Sequence, residues 1–349
     1  MTRKSGRDLA LNEEIGPEGQ GRRRFFATVG AATAASALMS ACTASNGPTN
    51  SGAAAPSGTA AMRPATTEPG KLPCSDNFAL IAAAKPYEPG RVVDFTLVAR
   101  GGPAERIEIA PKKSYQSMNF NGQVPAPTLR LTEGDRVRFT LENKGLLPHS
   151  IDFHAARTPW SKNYQSIGPG RRLEFEWTAR DPGIFMYHCG TDPVIMHIAD
   201  GMYGAVVVDP RMPRKPAKEI VLVQGEFYGV GHDLDAMLNK PPDVVAFNGQ
   251  AFRYRSKPIE AKVGETVRFF VVNAGPNATS AFHVVGGLFD HVELDGNPSN
   301  AVGMRQTVDI SPGSGAICEI TLREPGSYPF VTHKFNDATR GAVGVLHVS

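Results

Sequence analysis

Cysteine is scarce in this chain: four in 349 residues. That is too few for a disulfide scaffold of this size. Charge of one sign is also lacking. Lys and Arg total 37 against 34 Asp and Glu, a formal net charge of +3, so nothing favours nucleic acid or a strongly acidic surface as partner. The apolar, small-residue run that ends at Leu38 is too short to span a bilayer as a mature helix. Gly (36) and Pro (28), by contrast, are plentiful, and Val, Thr and Phe recur in short runs between them. This punctuation predicts many short strands joined by turns, and the length accommodates two domains.

The first residues read as an address. Arg22-Arg23-Arg24-Phe25-Phe26 precedes the apolar run, in the pattern of a twin-arginine export signal. The run closes on Leu38-Met39-Ser40-Ala41-Cys42, which resembles a bacterial lipobox with Cys42 as the lipidated residue; ordinary cleavage nearby is the alternative. Residues 1–42 are therefore expected to be an export signal that places the mature protein in the periplasm or on the extracytoplasmic face, lipid-anchored at Cys42. Residues 43–88, rich in Ala, Ser, Thr, Pro and Gly at their start, are expected to be a flexible tether. Cys74 and Cys318 leave two readings open, a disulfide in an oxidising compartment or inert thiols.

Beyond the tether lies a weak internal repeat. Phe-Asn-Gly-Gln occurs at Phe120 and again at Phe247. Each copy precedes a turn and a polar–apolar alternation, Glu133-Gly134-Asp135 with Arg136 to Phe139 and Val263-Gly264-Glu265 with Thr266 to Phe269. Asp181-Pro182-Gly183 is echoed by Glu324-Pro325-Gly326. The offset, roughly 130 to 140 residues, suits two similar β-sandwich domains, 89–210 and 211–349, joined near Pro210 to Lys218.

The first half carries Cys189, His197 and Met202 in order, with His149 upstream. Two imidazoles, a thiolate and a weak thioether describe a blue-copper site. Strand geometry then predicts a second site. Adjacent side chains in an extended chain point to opposite faces. If Cys189 faces the blue copper, His188 faces away; His154, five residues after His149, would join it. The second half offers His333 as a third ligand.

These residues resemble the copper-containing nitrite reductases over roughly residues 90–349. The resemblance rests on His149-Ser150-Ile151-Asp152-Phe153-His154, on Tyr187-His188-Cys189, on the short loop Gly190 to Met202, on Ser280-Ala281-Phe282-His283 and on Thr332-His333. It implies an all-β chain of two tandem cupredoxin-like Greek-key domains with two coppers per chain. Type 1 copper would be held by His149, Cys189, His197 and Met202. Type 2 copper would be held by His154, His188 and His333, the last reaching a neighbouring chain of a homotrimer. Asp152 and His283 would relay protons to nitrite, Val285 would shape the pocket, and a small cupredoxin or c-type cytochrome would donate the electron. His232, His291 and His347 are left structural or surface roles.

Arg157 to Asn163 departs from the glycine-rich loop of that family and puts the pocket, and so the substrate, in question. Three rivals follow. A laccase-like oxidase needs paired His-x-His motifs; none occurs, residue 190 is Gly, and nine histidines are too few once the blue copper is supplied. An enzyme of the same copper architecture could reduce oxygen instead. A non-enzymatic blue-copper carrier would hold one copper rather than two.

Overall fold

The computed structural model describes residues 81–349, which belong to one compact unit. The export signal, the lipobox, Cys74 and the tether up to residue 80 lie outside the described residues. Among the described residues no helix is long and apolar enough to cross a membrane.

Eight strands build the first domain: β1 (Val92–Ala110), β2 (Lys113–Phe120), β3 (Leu129–Thr132), β4 (Arg136–Asn143), β5 (Asp152–Phe153), β6 (Arg172–Thr178), β7 (Gly183–His188) and β8 (Tyr203–Asp209). They form two four-stranded sheets, ordered β2-β1-β4-β6 and β3-β8-β7-β5. β1 runs parallel to β4, and β3 parallel to β8, so strands distant in sequence lie side by side. Two short helices interrupt the strands, α1 (Trp160–Asn163) and α2 (Val194–Ala199).

The second domain repeats the plan with β9 (Lys218–Phe227), β10 (Val244–Phe247), β11 (Ile259–Ala261), β12 (Thr266–Gly275), β13 (Ser280–Val284), β14 (Phe289–Leu294), β15 (Ala301–Arg305), β16 (Thr307–Ile310), β17 (Gly315–Thr321), β18 (Gly326–Thr332) and β19 (Val343–Val348). Its sheets are β10-β9-β12-β17-β14-β15 and β11-β19-β18-β13-β16. Helices α3 (Leu234–Asn239), α4 (Arg253–Ser256) and α5 (Phe335–Thr339) lie in its connections.

Strand β4 shows why these residues form sheets. Val137, Phe139 and Leu141 alternate with polar neighbours and are buried between the two layers. Each such fully buried side chain stabilises the fold by about 1.5–3 kcal/mol. Ala205 to Val208 of β8 and Ile220 to Val223 of β9 read instead as unbroken apolar runs, because both faces are covered. Val206 and Val208 point into their own domain's core, while Ala205 and Val207 meet Val221 and Val223 of β9 in a shared interdomain core. Arg130 ties the layers further, bonding Asp209 (2.6 Å) and Glu219 (2.6 Å), and Glu219 in turn accepts from Arg268 (2.8 Å).

The repeated Phe-Asn-Gly-Gln motifs become equivalent turns. Asn121 and Asn248 both adopt left-handed backbone (φ 58° and 54°), and their side chains accept from the N–H groups of Val98 and Val223. Cys318 lies on β17, fully buried opposite Phe269, and forms no disulfide among the described residues.

Candidate metal centre

Strand β7 ends where the chemistry begins. Its last residue, His188, pairs directly with Asp152 on β5, and Tyr187 pairs with Phe153. Phe153 and Tyr187 face the core, where their rings pack at 5.5 Å beneath the site. His188 therefore turns outward on the same face as Asp152 and His154, and Cys189 turns inward. The alternation expected of adjacent residues in an extended chain holds here.

On the inner side, His149, Cys189 and His197 gather their ligand atoms around one point. Cys189 Sγ lies 3.4 Å from His197 Nδ1 and 4.0 Å from His149 Nδ1, and the two Nδ1 atoms are 3.3 Å apart. His149 is anchored by a reciprocal backbone pair with Ile167 (3.0 and 2.8 Å). His197 sits on α2, so the ligand loop is one turn of helix rather than a plain loop. Met202 is fully buried beside them, and its carbonyl accepts from the Cys189 N–H (3.0 Å).

Burial lowers His149 to about 3 and His197 to about 4, which keeps both imidazoles neutral and able to donate lone pairs. Burial also pushes the Cys189 thiol up, opposed by the Ser150 N–H aimed at Sγ (3.4 Å). A thiolate in this dry place calls for a cation. Two neutral imidazoles, a sulfur and a neighbouring Met form a soft donor set that fits copper.

The outer side holds Asp152, His154 and His188. His188 Nδ1 donates to the Cys189 carbonyl (2.9 Å), and His154 Nδ1 donates to the Gly313 carbonyl (2.9 Å). These bonds fix both tautomers and leave bare lone pairs on the two Nε2 atoms, which face each other at 3.2 Å. Asp152 Oδ2 stands 3.9 Å from His188 Nε2. Two lone pairs and a carboxylate repel one another unless a cation stands among them. Burial lowers the His188 pKa, favouring its neutral form.

His333 and His283 are not brought to this cluster within one chain. His333 is exposed after β18, with its N–H bonded to the Ala281 carbonyl (2.6 Å). Its ring lies 5.5 Å from that of His283, which bonds the Gln306 carbonyl through Nδ1 (2.5 Å). Val285, 44% exposed, follows on the same segment. The chain thus carries an imidazole pair with a carboxylate on the first domain and a second imidazole pair on the other.

Several contributors escape a reading of the sequence. Ser150 Oγ accepts from the Gly190 N–H (3.0 Å) and pins the residue after Cys189. At Gly145 a Cβ would lie 2.9 Å from His149 Nε2. Gly313, far away in sequence, orients His154. Of these only Ser150 had a local signal, its place next to a ligand. The departing segment Arg157–Asn163 contains α1, and Trp160 on it is 73% exposed. Arg157 pairs with Asp181 (2.7 Å) at the edge of a 440 Å³ cleft that also touches His154 and Gly313. Of the histidines left unassigned, His232 pairs with Asp200, His291 with Glu293 (3.2 Å) and His347 with Ser327 (3.2 Å).

Family models of multicopper oxidases match residues 104–213 and 231–349. A copper-containing nitrite reductase of Neisseria meningitidis is 38% identical over 250 residues, covering 67% of this chain and 64% of that protein. The chain thus spans a little under two thirds of that relative's length. The solved copper nitrite reductase of Nitrosomonas europaea superposes with a TM-score of 0.72 at 38% identity, covering 74% of this chain and 94% of that one. A copper-containing nitrite reductase of Thermus scotoductus superposes at 0.69 with 35% identity, covering 74% and 62%.

Proposed function

From a chain that belongs to the copper-containing nitrite reductase family, we propose an enzyme that reduces nitrite to nitric oxide, with one electron passing from a type 1 to a type 2 copper. The observation that carries this reading is the split between neighbours: Cys189 belongs to the buried donor set and His188 to the outer one. One shared peptide unit joins the two sets. A carrier of electrons alone would have no use for the second.

Bound copper would supply the one-electron chemistry, the thiolate-ligated ion at His149, Cys189, His197 and Met202 and the imidazole-ligated ion at His154 and His188. The reaction takes one electron and two protons per nitrite and releases water with nitric oxide. Asp152 is placed to hold one proton at Oδ2, 3.9 Å from His188 Nε2, and to deliver it to a nitrite oxygen. His283, its Nδ1 committed to the Gln306 carbonyl, has Nε2 left to hold the other. His333 supplies the third imidazole from a neighbouring chain. The exposure of His333 and of His154 supports that reading, since a ring of chains can close one half-site on the other; we take the ring to be a homotrimer. The arginine-led N-terminus and Cys42 support export and lipid attachment, and the electron donor would then be a small redox protein of that compartment.

Anaerobic turnover of nitrite by copper-loaded protein, with a reduced dye as donor, tests the proposal. Nitric oxide is the expected product. Asp152→Asn and His283→Ala should each lose most of the rate, on the order of a hundredfold, while keeping the blue colour. Turnover that survives both substitutions would remove the proton-relay assignment. Oxygen consumption without nitric oxide from nitrite would replace the substrate.

A further inference from the structure

The ligand helix α2 is held from behind by a group of residues that copper binding does not use. Asp200, the residue that closes α2, lies between His197 and Met202 in sequence, and its carboxylate is fully buried. Its Oδ1 is 3.0 Å from the Tyr115 hydroxyl on β2 and accepts from the His232 backbone N–H at 3.0 Å; its Oδ2 bonds His232 Nδ1. The Tyr115 hydroxyl also lies 3.2 Å from the Ala199 carbonyl, so its single proton is shared between two acceptors at the end of the helix.

His232 comes from the second domain, in the loop between β9 and α3. Its backbone is left-handed (φ 56°), a conformation that side-chain-bearing residues rarely adopt and that costs on the order of 1 kcal/mol. Tertiary contacts hold it there. Gln116 on β2 donates to the Val230 carbonyl (2.8 Å), and a Cβ on Gly231 would lie 2.0 Å from the Gln116 carbonyl oxygen. Tyr228, Ala236 and Met237 pack with Ala199 in a small apolar cluster over α2. The strained residue is thus the one whose ring meets the buried carboxylate.

We propose that His232 and Tyr115 are positioning residues for the type 1 copper, acting through Asp200 to hold the His197–Met202 segment, so that the second domain sets the ligand geometry of the first. This rests on the copper reading above. Without the His232 ring, the buried Oδ2 of Asp200 loses its partner and would draw in water or swing outward. Either movement displaces His197 and Met202 relative to Cys189.

The test uses the full copper-loaded chain. His232→Ala removes the ring. His232→Asn keeps a donor where Nδ1 stood and suits a left-handed backbone. Tyr115→Phe keeps the packing and removes only the hydroxyl. We expect His232→Ala to change the ratio of the thiolate-to-copper absorption bands and the type 1 hyperfine splitting. Type 1 copper affinity, measured by competition with a chelator, should fall about tenfold, and the type 2 signal should stay as in the parent. His232→Asn should restore the parent spectrum. Should His232→Ala fail to fold, Tyr115→Phe carries the same expectation with a smaller shift. A blue parent whose His232→Ala and Tyr115→Phe forms keep its band ratio and affinity would overturn the positioning role while leaving the copper reading intact. A parent with no blue band after copper loading would overturn both.

Discussion

His149 and His197 illustrate how a metal site is made ready by burial. Burial holds them at about 3 and 4 in the copper-free fold, against 6.5 for an exposed histidine. Above pH 6.5 the folded and unfolded chains are both neutral at these positions, and the pair contributes no pH dependence. As pH falls below 6.5 the unfolded chain binds protons that the fold refuses. Stability is therefore lost with falling pH, by up to about 1.4 kcal/mol per pH unit for each histidine, until the folded values are reached. Denaturant unfolding of the copper-free protein should show this decline between pH 6.5 and 4. His149→Gln should remove about one proton from the slope; an unchanged slope would show that the histidine already protonates in the fold.

At the scale of single elements, the turn between β16 and β17 is a test of reach. Gly313 accepts the His154 Nδ1–H on its carbonyl and has a left-handed φ of 80°. A Cβ there would sit 3.2 Å from His154 Cε1. Gly313→Ala should tilt the ring and lower type 2 copper affinity about tenfold, read as copper per chain and as the type 2 resonance, with the blue band unaffected. Equal occupancy of both coppers in that variant would show that a Cβ at this position does not displace the His154 ring. The contrast with β7 explains what was legible in the sequence. The opposed faces of His188 and Cys189 follow from the period of two in any strand, and the approach of Cys189 and His197 follows from donor types close together on one segment. The strand expected from Arg136 to Asn143 is likewise present as β4. Gly313 lies 159 residues from His154, and Asp200 meets His232 through a left-handed loop. Neither contact has a periodic signature, since each exists only once the two domains pack together.

At the scale of the whole molecule, the proposed pairing of the two histidine clusters makes different demands on one chain and on a ring. Asp152, His154 and His188 stand on the first domain, while His283 and His333 share a patch of the second, their rings 5.5 Å apart. Were the type 2 site completed within each chain, a defect in either half would disable that chain whatever its neighbours. In a ring, each site takes its first-domain half from one chain and its second-domain half from the next. Co-expressing His188→Ala and His333→Ala chains distinguishes the two arrangements. Each variant alone should lack the complete type 2 site and nitrite turnover while staying blue. In randomly mixed rings at equal input, an intact site needs a His333→Ala chain to present its first domain to the second domain of a His188→Ala chain, an arrangement expected at about a quarter of the interfaces. Recovery of about a quarter of the parent's turnover and type 2 copper, absent when the separately purified variants are simply combined without reassembly, is the result a ring predicts. Co-expressed chains that stay inactive, in particles shown to contain both variants, would place His333 in the service of its own chain.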